Sequence, residues 1–147
     1  MGFSFSKFLG KTKPESSSND SIEAIIEAVG NEPYGVSKNN VLFSGLNELG
    51  GYFFFQTVIV GAFKVKCKNG AKLTFIGKDF ELRLNSDSNE FESDHTDVKG
   101  RFVTKIDFLI EETDIERLKE AELKQVLLKV KQQEITFSKY IASDEEE

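Results

Sequence analysis

Few side chains in this sequence belong to the types that carry out covalent or acid–base chemistry. His95 is the single histidine and Cys67 is the single cysteine. His95 stands beside Asp94 and near Asp97, which is a composition that metal sites and acid–base pairs use. In so polar a stretch the same residues are more typical of a solvated turn, which is the interpretation we prefer. Cys67 falls on the apolar positions of a predicted strand, where cysteine usually behaves as a small buried hydrophobe.

The acidic stretch from Asn85 to Gly100 begins like a calcium-binding loop. Asn85, Asp87 and Asn89 occupy alternate positions, as oxygen ligands do at the start of such a loop. The likeness ends at Glu90, where the loop requires glycine, and at Thr96, where it requires a bidentate glutamate. The sequence therefore predicts no metal site here.

Motifs that specify a reaction are missing from the chain. It has no nucleophile elbow of the G-x-S-x-G type, no phosphate-cradling glycine loop, and no second histidine or cysteine to complete a catalytic or metal site. A pair of carboxylates suited to glycoside hydrolysis remains open among the 25 acidic residues, because their separation depends on the fold. These observations favour a non-catalytic protein without a cofactor, and a hydrolase is kept as a further alternative.

Composition sets the class of molecule. A chain of 147 residues with 39% hydrophobic content is long enough for one domain with a substantial core. The net charge of −6 argues against nucleic acid as a partner. The sequence contains no signal-type or membrane-spanning apolar run, and a single cysteine excludes an internal disulfide. We therefore expect a cytoplasmic protein.

The two ends of the chain differ in composition from its centre. We predict a disordered leader at residues 1–19, one β-rich domain at residues 20–142 and an acidic tail at residues 143–147. Gly2 followed by Ser6 fits the N-myristoylation pattern, which makes Gly2 a candidate lipidation site. Residues 3–13 combine phenylalanine with lysine and are a candidate for weak membrane contact.

The stretch from Tyr52 to Leu84 organises the predicted fold. Alternating apolar side chains predict one long strand from Tyr52 to Cys67, followed by two further strands in a meander. A three-residue loop at 68–70 would place Val65 opposite Leu73 and Phe63 opposite Phe75. A four-residue turn at 76–79 would then place Phe80 opposite Phe75.

Further strands are predicted at residues 101–111, 124–131 and 134–141, with a short edge strand at 41–43. Two capping-box patterns predict short helices near Ile22 to Val29, opened by Asp20, and near Asp114 to Ala121, opened by Thr113. The apolar stripe of the first helix should dock on the sheet, and the second helix should cap one end of it. The result is a mainly β fold, an antiparallel β-sandwich or partly open barrel of six to seven strands with two short helices.

The apolar face of these strands predicts the core. We expect the following side chains to be buried: Phe53, Phe55, Ile59, Phe63, Leu73, Phe75, Leu82, Phe102, Ile106, Phe108 and Val126.

The opposite face suggests a working surface. In the predicted register Lys66, Lys72 and Arg83 form one row across three strands, and Lys64 lies in the next row. Such a basic patch on an acidic protein could orient a partner with an acidic surface. We therefore interpret the protein as a non-catalytic protein-interaction module. The alternative is a small β-barrel that binds an apolar ligand, which requires an apolar cavity of several hundred cubic ångströms, whereas a filled interior favours the module.

Overall fold

A computed structural model of the protein describes residues 22–139. These residues form two helices and eleven strands. They are α1 Ile22–Val29, β1 Gly35–Val36, β2 Asn40–Leu49, β3 Tyr52–Gly61, β4 Lys66–Cys67, β5 Ala71–Gly77, β6 Phe80–Asn85, β7 Phe91–Glu92, β8 Asp94–His95, β9 Phe102–Ile110, α2 Glu112–Glu120, β10 Leu123–Val130 and β11 Gln133–Ser138.

Nine of the described strands belong to one curled sheet, in the order β6-β5-β10-β11-β1-β2-β3-β9-β8, and every pair in it is antiparallel. The curl brings the end of β6 back to β9, where Ser86 forms a bridge with Phe108 and the Asp87 amide donates to the Asp107 carbonyl at 2.7 Å. The sheet is thus a half-barrel, and the predicted mainly β, antiparallel, partly open barrel is confirmed. The strand number exceeds the prediction because strands as short as β1 and β8 carry no readable alternation.

Strand alternation divides the side chains between two apolar clusters. The inner cluster fills the half-barrel and includes Phe55, Phe75, Phe108 and Phe137. The outer cluster lies on the other face of β2, β3 and β9, where α1 covers Val41, Phe43, Val58, Val60 and Val103 with Ile25 and Val29. The apolar stripe of α1 therefore docks on the sheet as its spacing predicts, and Gly30 ends the helix in the left-handed conformation at φ 82°.

The two ends of the half-barrel are closed differently. At one end α2 follows β9 and places Ile115 in the inner cluster, with Leu118 packed against it. At the other end residues 62–67 leave β3, and β4 pairs with β7 in a separate small sheet. Phe63, Val65 and Cys67 from this segment enter the inner cluster.

The predicted long strand from Tyr52 to Cys67 is wrong in one respect, because β3 ends at Gly61. Gly61 has φ 152°, and a side chain there would overlap the Asn39 carbonyl. The Asn40 side chain then accepts a hydrogen bond from the Phe63 amide at 2.8 Å, in place of a strand partner. The apolar alternation persists beyond the break because the segment crosses the end of the core.

The predicted meander register is also wrong. β4 pairs with β7 rather than with β5, so Val65 does not lie opposite Leu73. β5 and β6 form a tight hairpin in which Phe75 lies opposite Leu82 and Gly77 opposite Phe80. The turn needs only Lys78 and Asp79, because Asp79 adopts the left-handed conformation at φ 52°.

Three further expectations need correction. α2 begins at Glu112, and its N-cap Glu111 makes no side-chain capping bond, so Thr113 lies inside the first turn. The predicted edge strand at 41–43 is the buried half of the long strand β2. Phe53 and Phe102 are half-buried, whereas the other predicted core residues are buried.

Several sequence predictions fall outside residues 22–139. They are Gly2, the leader at 1–19, the membrane contact at 3–13, the Asp20 cap and the tail at 143–147. Within the part of the chain that the structure describes, neither helix has the length and apolar character needed to cross a bilayer.

Candidate functional site

The end of the half-barrel beneath α2 contains an apolar recess, here called the end cleft. Its walls are Tyr34, Phe55, Ile110, Ile115 and Leu118. Ser44, Gly45, Leu46 and Lys119 complete the lining. The volume is about 330 Å³, within the range of ligand sites in proteins. α2 therefore covers this end only in part.

Tyr34 forms the wall between the strands and the cleft. Its backbone amide donates to the Leu42 carbonyl at 2.7 Å, which fixes the residue just before β1. Its ring packs edge-on against Phe55 at 5.4 Å and against Phe75 at 6.3 Å between ring centroids. Burial raises the pKa of Tyr34 to about 12, so its hydroxyl stays protonated at neutral pH. A protonated phenol in an apolar cleft can both donate and accept a hydrogen bond.

α2 is held over the cleft by contacts at both faces. Ile115 and Leu118 are three residues apart and so point to the same side of the helix, toward the inner cluster. On the exposed side Arg117 lies over the Phe80 ring at 5.2 Å and pairs with Asp114 at 3.3 Å. This anchoring fixes Leu118 and Lys119 at the rim of the cleft.

A second recess adjoins the end cleft, here called the side groove. It has a volume of about 520 Å³ and shares Tyr34 and Ser44 with the cleft. Its floor includes Val126 and Phe137, which are buried, whereas its rim carries Glu122, Lys124 and Lys139. Neither recess is lined by a cysteine or a histidine. This arrangement suits retention of an amphipathic molecule.

The structure separates the residues of the predicted basic patch. Arg83 pairs with Glu81 at 3.2 Å, and Lys64 lies over the Phe102 ring at 5.2 Å. Lys66 lies opposite Glu92, and Lys72 donates to the Asn85 side chain at 3.2 Å. All of the four side chains are exposed, but the single row does not form because β4 and β5 are not neighbours. Their role as a contact surface for an acidic partner stays a prediction.

The residues with chemical potential lie apart from one another. Cys67 is buried, and its thiol donates to the Gly70 carbonyl at 3.3 Å. His95 does not lie in a turn as predicted; it belongs to β8, opposite Phe102, with its ring centroid 5.2 Å from that ring. Between residues 22 and 139 no three side chains of His, Cys, Asp or Glu come together as a metal site.

One pair of carboxylates does meet on the outer face. Asp87 and Asp107 both line a shallow recess of about 290 Å³. Burial and the charge of Asp87 raise the pKa of Asp107, and a hydrogen bond from Gln56 opposes that shift. Asp107 is exposed, and solvent screening therefore limits the shift in its pKa.

Comparison with family models, with curated proteins and with solved structures found no match. Assignment of function therefore depends on the geometry of this chain.

Tyr34 is the functional candidate that sequence reasoning missed. It lies in the linker between α1 and β1, where no alternation or helical period indicates burial. Its packing depends on Phe55 and Phe75, which are distant in the sequence, so no local signal identifies it. Ile115 and Leu118 both face inward, against the inner cluster.

Proposed function

We propose that the protein binds a small amphipathic molecule in the end cleft and does not transform it chemically. The observation that carries this proposal is the cleft itself. The cleft is an open recess of about 330 Å³ with mainly apolar walls, and it lies beside Phe55 and Ile110 of the inner cluster. Two of the three sequence hypotheses, the protein-interaction module and the apolar-ligand barrel, described a non-catalytic binding protein, and the cleft favours the second of these two.

The lining suggests the chemistry of the ligand. The walls offer apolar surface from Phe55, Ile110, Ile115 and Leu118, which favours an aliphatic chain. At the rim Lys119 supplies a positive charge, and Tyr34 and Ser44 supply hydroxyl groups. A carboxylate at the end of the ligand's aliphatic chain would bind to these groups. We therefore propose a medium-chain carboxylic acid as the ligand class.

Tryptophan fluorescence tests the proposal, because the chain has no tryptophan of its own. Leu46 lines the cleft and is 44% exposed, whereas Leu109 on the outer face of β9 is 43% exposed and provides a matched control. Titration with octanoate or decanoate should shift the emission of Leu46→Trp in a saturable manner. The emission of Leu109→Trp should not change.

Two further variants define the ligand's position. Leu118→Trp should fill the cleft and weaken decanoate binding by about tenfold or more, since burial of an aliphatic chain is worth roughly 0.8 kcal/mol per methylene. Lys119→Gln should weaken decanoate but leave decanol unaffected. Equal responses of the reporters at 46 and 109, or no saturation with either acid, would refute the proposal.

A truncation tests whether residues after Lys139 compete with an external ligand. Lys139 lines the side groove, and the sequence continues from it to Tyr140 and Ile141. A variant that ends at Lys139 should bind decanoate with unchanged affinity if the cleft serves an external ligand. A gain of tenfold or more on truncation would show that the chain's own end competes for the site.

A further inference from the structure

A further recess, here called the basic groove, lies where β5 begins and β10 ends, on the side of the molecule away from the end cleft. It is lined by Lys72, Lys129 and Lys131 and has a volume of about 530 Å³. Side chains with hydrogen-bonding capacity complete its lining: Asn69, Asn85, Ser86 and Asn89. No aspartate or glutamate among residues 22–139 lines it, although the whole chain carries a net charge of −6.

Two of these lysines are forced together by strand pairing. Lys72 on β5 and Lys129 on β10 lie directly opposite each other on the outer face. Residues in that relation have Cβ atoms about 5 Å apart, and like charges there are destabilising. Glu134 lies opposite Lys129 on the far side and offsets part of the repulsion. The pair therefore concentrates positive charge at a small cost in stability.

Lys131 adds a third charge from a backbone conformation that lysine rarely adopts. It lies in the turn between β10 and β11 with φ 56°. Its ammonium group donates to the Lys66 carbonyl at 3.1 Å, which uses one of three donors. A residue with this φ costs free energy that a glycine or asparagine would avoid. The turn thus places a lysine beside the groove at a position where glycine or asparagine would be less strained.

The other wall of the groove is fixed by backbone hydrogen bonds. The Gly70 amide donates to the Asn89 carbonyl at 2.9 Å, and the Ala71 amide donates to the Ser86 hydroxyl at 2.9 Å. Gly70 has φ 84°, and a side chain there would press on Ser86 and Asn89 at 3.1 Å. These bonds tie Ser86 and the Asn89 backbone to the start of β5, and the Asn85 side chain accepts a hydrogen bond from Lys72 at 3.2 Å.

We propose that the basic groove binds the phosphate group of a small phosphorylated molecule. Lysine binds phosphate as a point charge, and the side-chain amides of Asn69, Asn85 and Asn89 can donate further hydrogen bonds. A compact polyanion fits better than an extended acidic peptide. A peptide running across the strands would meet Glu134 beyond Lys129 on one side, and one running along β6 would meet Glu81 beside Arg83.

The test is a titration of the full chain with inorganic phosphate and with pyrophosphate, monitored by backbone amide NMR shifts at constant ionic strength. Shifts should concentrate at residues 70–72, 86–89 and 129–131. Lys72→Gln and Lys129→Gln should each weaken pyrophosphate binding by about tenfold, as expected for loss of a charge-assisted hydrogen bond. Lys78→Gln is the matched control, since Lys78 is an exposed lysine at the other end of β5 and lies outside the groove.

The variants should remain folded. Lys72→Gln removes one charge of the opposed pair and should leave thermal stability unchanged or slightly raised. Lys129→Gln also removes the pairing with Glu134, so its thermal stability should stay close to that of the unaltered protein, and lost binding would not reflect unfolding. If Lys78→Gln weakens pyrophosphate as much as Lys129→Gln does, the interaction is general charge attraction and the proposal fails.

The source of the phosphate is distinguished by a second arm with vesicles. Vesicles that contain phosphatidylinositol phosphate should sediment the protein only if the group is a lipid headgroup, and the same lysines should then be required. Binding to pyrophosphate without sedimentation identifies a soluble ligand. Binding to polyglutamate, with no shift on addition of phosphate or pyrophosphate, would overturn the proposal and favour an acidic protein instead.

Discussion

Tyr34 links the core of the molecule to its candidate site. Its ring extends the edge-to-face arrangement of Phe55 and Phe75, whose centroids are 5.1 Å apart. The same residue lines both the end cleft and the side groove. Such a position explains why its ionisation is suppressed: a charged phenolate would lie against aromatic and aliphatic side chains with little solvation.

The pKa of Tyr34 gives a prediction at the residue scale. The ordinary tyrosine value of about 10 applies to the unfolded chain, and the folded value is about 12. The unfolded chain therefore loses this proton first as pH rises. The resulting stability is fully present below pH 10 and is lost between pH 10 and about 12.

Absorbance titration of tyrosinate measures that step directly. The native protein should show a tyrosine ionisation near pH 12 that is missing from Tyr34→Phe. The free energy of unfolding of Tyr34→Phe should also fall less steeply above pH 10 than that of the unaltered protein. If the substitution leaves both the titration curve and this slope unchanged, Tyr34 is not the buried tyrosine.

At the scale of elements, the end of the half-barrel away from α2 is closed by the residues that follow β3. Residues 62–67 carry Phe63, Val65 and Cys67 into the inner cluster. The Val65 amide donates to the Ser93 hydroxyl at 2.9 Å, and Ser93 is bonded to Thr104 at 2.6 Å. These buried polar groups satisfy the Val65 amide just before β4 pairs with β7.

Gly61 makes the departure of the chain from β3 achievable, and its replacement gives a second prediction. Gly61→Ala would force the new methyl group into the Asn39 carbonyl and the Asn40 side chain. We expect the free energy of unfolding to fall by about 2–4 kcal/mol, from backbone strain and steric overlap together. Gly100→Ala is the control, because Gly100 has φ 82° with open space around its Cα; it should cost only about 1 kcal/mol. Urea denaturation of both variants checks the difference, and equal losses would show that close approach at Gly61 is unimportant.

Local sequence patterns predicted which face of the sheet a side chain lies on better than they predicted which strands pair. The alternation in β5, β6, β9 and β10 placed Leu73, Leu82, Ile106 and Val126 on the buried face correctly, because a residue's face depends only on its parity within the strand. The partner of β5 is β10, about fifty residues later in the sequence, and no local signal specifies that pairing. For that reason Lys72 was placed beside Lys66 rather than beside Lys129, and the basic groove could not be found. The end cleft was equally hidden, since it depends on Tyr34 and α2 meeting across the sheet.

At the scale of the whole molecule, the curl of the sheet places two candidate sites at opposite ends of one core. The end cleft lies beneath α2, whereas the basic groove lies where β5 begins and β10 ends. The inner cluster runs continuously between them through Leu73, Phe75, Val126 and Leu128. A ligand in the end cleft would therefore contact the same packed core that supports the strands of the basic groove.

The contact between the end of β6 and β9, here called the seam, maintains the curl of the sheet. Substitution of Asp87, whose amide forms a backbone hydrogen bond across the seam, tests this most directly. The Asp87 amide donates to the Asp107 carbonyl at 2.7 Å, beside the bridge between Ser86 and Phe108. Asp87→Pro removes the donor, whereas Asp87→Ala keeps it and relieves the repulsion that raises the pKa of Asp107. Asp87→Ala should therefore be neutral or slightly stabilising at neutral pH. Asp87→Pro should lower the free energy of unfolding by about 1–3 kcal/mol relative to it, the cost of leaving a carbonyl unpaired. Amide exchange should quicken in β6 and β9 of the proline variant alone; equal stability and exchange in the two variants would mean that sheet curvature, and not this bond, holds the seam.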